Sequence, residues 1–196
     1  MEKMKTFFIV PGFKMGPKSK QFTWLAKFLR SKGFRAVIAP ITWTRRTNAQ
    51  CAEEFVSIFN KEKTATNYVL GFSYGAVIAL MTANTLKPKK IFLCSLSPDF
   101  KEDMSAMKTW IRKYIGVQRL RDSKTRSGRD VAKALTVSSV IFYGTAEGKK
   151  YPQLAVRAQE TAQLAKRSKL VAVPDAPHQI DHHAYQDAIR TEIEAL

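Results

Sequence analysis

Residues Tyr68 to Leu80 read YVLGFSYGAVIAL: β-branched and aromatic residues, then a serine between two glycines, then small helix-favouring residues. In a chain of 196 residues the pattern Gly-x-Ser-x-Gly arises by chance about one time in twenty, so its surroundings decide its meaning. They read as a strand before and a helix after. A serine at the tip of a sharp strand-to-helix turn needs small residues two before and two after it. Larger side chains there would strike neighbouring backbone. Gly71 and Gly75 meet that need.

Outward from this turn, short apolar runs alternate with amphipathic segments. Lys5 to Val10, Arg35 to Ala39, Tyr68 to Leu70, Ile91 to Leu96, Val137 to Tyr143 and Lys169 to Val173 read as strands. Between them, a helix capped by Ser19 carries Phe22, Leu25, Phe28 and Leu29 on one stripe and stops before Gly33. Further helical patterns run over Asn48 to Asn60, Ala76 to Leu86, Pro152 to Arg167 and Ala184 to Leu196. This alternation predicts an α/β fold, a mainly parallel sheet of about six strands with helices on both faces.

The length suits one domain over residues 1–196. The rhythm breaks only in an insertion over residues 99–136, expected to form a short helical lid. Met104, Met107, Ile111, Tyr114 and Ile115 form one helical stripe there, closed by Gly116, and a basic polar stretch follows.

Hydrophobic residues at 45% and charged residues at 25% fit a soluble globular chain. No apolar stretch is long enough to span a bilayer. The apolar run before Pro11 is too short for a signal-peptide core, so a cytoplasmic location is expected. Two cysteines, Cys51 and Cys94, make no disulfide framework and read as small buried groups. The unusual quantity is charge, with 33 Lys and Arg against 16 Asp and Glu, a net +17. It favours anionic partners or an anionic surface and says nothing about fold. The insertion shares the bias, carrying Lys108, Arg112, Lys113, Arg119, Arg121 and Arg126 among its basic residues, which are expected to meet solvent.

In a parallel sheet, ligand sites lie beyond the carboxyl ends of the strands. Ser73 leaves one such end. A serine needs a base to become a nucleophile, and His178 leaves another, in the loop after KLVAV. His182 and His183 start the last helix as exposed or partly packed residues. The grouping His178, Asp181, His182 and His183 matches no metal site, and no metal or cofactor is expected. Glu147, in VIFYGTAEG, stands just past a strand end and is the favoured acid to orient the imidazole. Asp99, in LCSLSPDF, is the alternative. A developing oxyanion would be met by the Tyr74 N–H at the helix start and by the Phe13 N–H beside Gly12.

Elbow Gly71-Phe72-Ser73-Tyr74-Gly75, late acid Glu147 and final His178 resemble the α/β-hydrolase superfamily in their order of serine, acid and histidine. The resemblance covers nearly the whole chain except the insertion. It implies Ser73 as nucleophile, His178 as base and then acid, and Glu147 as orienting carboxylate, with the Phe13 and Tyr74 amides as oxyanion hole. Two departures stand out: Glu147 where most members carry Asp, and Pro11-Gly12 where many show His-Gly.

Serine at the elbow argues against the dehalogenases and epoxide hydrolases of that superfamily, which use Asp, and against its dienelactone hydrolases, which use Cys. The resemblance thus implies acyl transfer to water: a carboxylesterase-like enzyme on a small-molecule ester or thioester, anionic ones included. The alternative is a non-catalytic scaffold that binds nucleic acid or anionic lipid through its basic surface. Against it, no nucleic-acid module is visible and the basic residues are spread along the chain.

Overall fold

The computed structural model describes residues 4–196. Six strands, β1 (Lys5–Val10), β2 (Phe34–Ile38), β3 (Thr66–Phe72), β4 (Lys90–Cys94), β5 (Ser139–Gly144) and β6 (Ser168–Val173), form one sheet in the order β2-β1-β3-β4-β5-β6. Every neighbouring pair is parallel. Parallel strands need long crossovers, and helices supply them.

Alternation along the strands divides the core. Phe7, Ile9, Tyr68, Leu70, Phe92 and Phe142 point to one face, which α1 (Thr23–Ser31) and α9 (His183–Glu194) cover with Leu25, Leu29, Tyr185 and Ile189. Phe8, Val10, Val69, Ile91, Leu93 and Ile141 point to the other face, under α2 (Asn48–Glu62), α3 (Tyr74–Leu86) and α8 (Pro152–Leu164). Because both faces are covered, the central strands read as continuous apolar runs. Cys51 and Cys94 are buried free thiols.

Local signals explain several boundaries. Thr47 and Gln50 close a capping box at the start of α2. Ser19 does not cap α1 through its side chain. A 3-10 turn over Lys20–Phe22 comes first, and the Ser19 hydroxyl accepts from the Gly16 amide.

The largest departure from the sequence reading lies in the insertion. A 3-10 turn (Lys101–Asp103) and three helices, α4 (Thr109–Ile115), α5 (Val117–Lys124) and α6 (Gly128–Ala134), replace one helix followed by an irregular basic stretch. The inward residues of α5 are Arg119 and Ser123, so no apolar period marks it. Arg119 is buried rather than facing solvent, against expectation. Met104, Met107 and Ile115 are buried, but Met104 and Met107 precede α4 and Tyr114 is exposed, so the expected single helical stripe does not form. The insertion is tied to the body by Arg157 of α8, whose Nη2 stands 2.6 Å from Asp103 Oδ1, with both residues buried. Among the described residues no helix is long and apolar enough to cross a membrane.

Candidate active site

In the strand order, β1 and β3 leave the sheet in opposite directions, which opens a crevice at their carboxyl ends. The β1 loop brings Gly12 and Phe13 to this crevice, and β3 brings Ser73. Ser73 sits at φ 56 and ψ −119, a conformation side chains rarely adopt. The chain can hold it because both flanking glycines lie against backbone. A β-carbon on Gly71 would stand 2.3 Å from the Gly75 oxygen, and one on Gly75 would stand 2.0 Å from the Val10 oxygen. The Ser73 amide is fixed by the Cys94 carbonyl at 2.9 Å.

Three side chains from beyond the carboxyl ends of β3, β5 and β6 converge. His178 Nε2 lies 3.1 Å from Ser73 Oγ, and His178 Nδ1 lies 2.9 Å from Glu147 Oε2. Glu147 is 1% exposed and belongs to a short helix the sequence did not announce, α7 (Thr145–Lys150). Its carboxylate also accepts from the Gly144 amide at 2.8 Å, from Ser95 Oγ at 2.9 Å and from the Tyr185 hydroxyl at 2.9 Å. A carboxylate buried this deeply requires such donors. Burial, and then the Glu147 charge, push the Tyr185 phenol well above its ordinary value, so it stays a neutral donor.

Asp99, the alternative acid, is held elsewhere. Its carboxylate accepts from the Asn48 side-chain amide at the start of α2, and burial raises its pKa to about 6. His182 and His183 stack on each other with ring centroids 4.3 Å apart, and no metal-binding group occurs among the described residues.

Sequence reasoning missed Ser95, Ser97 and Tyr185. Ser97 Oγ lies 3.1 Å from Ser73 Oγ, and Ser95 Oγ lies 2.6 Å from the Tyr185 hydroxyl. Both serines follow β4, so position at a strand end was their one available signal. Tyr185 reads in sequence only as part of an apolar helical stripe.

The Phe13 and Tyr74 amides take part in no turn or loop backbone hydrogen bond among the described residues. Tyr74 opens α3, whose first amides have no partner within the helix. Before Ser73 and His178 lies a cavity of about 330 Å³, walled by Met107, Ile111, Tyr114 and Trp110 from the insertion and by Tyr151 and Leu154 opposite. Its lining is chiefly apolar, as in small-molecule sites.

No protein-family model matches the sequence, and no curated protein matches it. Solved structures do resemble the chain. Est1E from Butyrivibrio proteoclasticus superposes with a TM-score of 0.82 at 17% identity, over 100% of this chain and 89% of that one. Alpha/beta hydrolase domain-containing protein 10 from mouse gives 0.81 at 11% identity, over 97% and 88%. An esterase from Exiguobacterium antarcticum gives 0.74 at 13%, over 97% and 91%. The chain has the α/β-hydrolase fold.

Proposed function

We propose that the protein is a serine hydrolase that cleaves a small carboxylic ester or thioester through an acyl-enzyme on Ser73. The observation that carries this reading is the unbroken chain of contacts Ser73–His178–Glu147 opening on an apolar cavity. A fold hosts many activities, so the argument rests on these groups.

His178 Nε2 takes the Ser73 proton as Oγ attacks the substrate carbonyl. Glu147 holds the imidazole with Nδ1–H toward Oε2 and stabilises the imidazolium. Four donors on its carboxylate keep it from swinging away. The Phe13 and Tyr74 amides meet the tetrahedral oxyanion, helped by the N-terminal dipole of α3. His178 then protonates the leaving alcohol or thiol. Water, deprotonated by the same nitrogen, releases the acid and restores Ser73.

Residues 99–136 serve as a lid on a single hydrolase domain. Met107 and Ile111 roof the cavity, and its aromatic walls suit a compact apolar or aromatic acyl group. One similar structure, Est1E, holds ferulic acid, an aromatic acid, which supports the same class here.

Labelling with a fluorophosphonate probe, followed by mass spectrometry, tests the reading. Ser73 should carry the adduct, and Ser73→Ala should lose labelling and hydrolysis of short p-nitrophenyl esters while staying folded. Labelling at Ser95 or Ser97 would overturn the assignment. Folded protein that neither labels nor hydrolyses would point to the non-catalytic scaffold with its net charge of +17.

A further inference from the structure

Arg119 is the strangest residue of the lid. It is 1% exposed, and among the described residues it forms no salt bridge, although its charge acts at longer range on the buried Asp99. Nη2 donates to the Arg46 carbonyl at 2.7 Å and to the Trp43 carbonyl at 3.2 Å, while Nε and Nη1 have no hydrogen-bond partner among the described residues. Burying a cation this way is costly, and a methionine would fill the space without that cost.

What surrounds the guanidinium gives the position a meaning. It lies 4.4 Å from the centroid of the Phe13 ring, 5.5 Å from Trp43 and 5.7 Å from Tyr74. Phe13 and Tyr74 are the two residues whose amides face the oxyanion in the reading above. The Phe13 and Tyr74 rings are also in contact, at 5.5 Å, and Trp43 meets Phe13 edge-on at 5.9 Å. The Trp43 indole N–H in turn holds the Met15 carbonyl at 3.0 Å, at the far end of the Phe13 turn. One lid side chain thus grips both halves of the oxyanion site and the loop that braces them.

We infer that Arg119 is a positioning residue for the oxyanion hole: its guanidinium, stacked on Phe13 and near Tyr74, fixes the two donor amides when the lid is packed down. The inference rests on the proposed hydrolase reading. The physical reason is that oxyanion stabilisation depends on donors already in place, and a misplacement of about 1 Å can cost roughly a hundredfold. Ground-state binding in the apolar cavity does not involve these donors. Arg119 should therefore act on turnover and leave substrate binding nearly untouched.

The test compares Arg119→Met and Arg119→Lys in steady-state hydrolysis of a short p-nitrophenyl ester and in inhibition by a phenylboronic acid, whose serine adduct places an anionic oxygen where the oxyanion forms. Arg119→Met should lower kcat by roughly tenfold to a hundredfold with KM within about threefold. Boronate inhibition should weaken by the same factor as kcat/KM. Arg119→Lys, which keeps a cation over the ring, should recover most of the loss. Should Arg119→Met fail to fold, Arg119→Gln takes its place: it keeps a side-chain donor for the Arg46 carbonyl, removes the cation over the Phe13 ring and should give the same kcat-only signature. Unchanged kcat in the folded variants, or a loss confined to KM or to thermal stability, overturns the inference. If Ser73→Ala still hydrolyses the ester, the hydrolase reading itself fails and takes this inference with it.

Discussion

Tyr185 donates its hydroxyl to Glu147 Oε1 at 2.9 Å, so the last helix reaches across the sheet edge to hold the acid that faces His178. If Glu147 orients the imidazole, Glu147→Gln should lower kcat by about 10⁴. Tyr185→Phe should cost far less, roughly tenfold, because Ser95 Oγ and the Gly144 amide still hold the carboxylate. Kinetics with a p-nitrophenyl ester measure both. A smaller loss for Glu147→Gln than for Asp99→Asn would move the orienting role to Asp99.

Asp99 should make stability depend on pH. Burial raises its pKa from the ordinary 3.8 to about 6, against the pull of the Asn48 and Ser123 hydrogen bonds and the Arg119 charge, with Asp103 adding to the rise. The folded chain thus binds this proton more tightly than the unfolded one. Its stabilising contribution is complete below about pH 4 and is lost as pH rises towards 6, at up to ~1.4 kcal/mol per pH unit. Asp99→Asn lacks this slope. In urea unfolding the variant should gain on the parent protein as pH climbs through that window. A difference that stays flat, or turns the other way, would rule out a buried, proton-holding Asp99.

At the cavity mouth the basic surface should act chiefly through Lys14, Lys108 and Lys150. Arg112 is spent on the carbonyls of Met104 and Met107, Arg126 stands 3.6 Å from Asp122, and Arg129 pairs with Glu160. Lys14 stands 4.3 Å over the Tyr114 ring, while Lys108 and Lys150 lie 5.6 and 5.4 Å from Tyr151, all by the cavity mouth. Their pull on an anionic ester should fade as the Debye length falls from roughly 30 Å at 0.01 M salt to about 8 Å at 0.15 M. So kcat/KM for an anionic ester should drop with salt while that of a neutral ester of the same acyl group holds. Lys14→Gln, Lys108→Gln and Lys150→Gln together should flatten the anionic curve. Parallel responses from both esters would leave these lysines as plain solvated surface.

The sequence by itself determined the sheet and the elbow, because both rest on local rules. Buried parallel strands need continuous apolar runs such as KTFFIV. The elbow needs small residues at Gly71 and Gly75, where any β-carbon would meet backbone. Strand ends could also be found locally, which is why Ser73, Glu147 and His178 stood out together. Only the tertiary structure decided which acid faces the imidazole, since Glu147 and Asp99 each follow a strand and differ only in what packs beside them. It alone revealed Ser95 and Tyr185, brought to one carboxylate from positions 52 and 38 residues away in the chain. It also turned Arg119 inward. A helix with Arg119 and Ser123 on its buried face carries no apolar period, and the rings that receive the guanidinium come from three other segments of the chain.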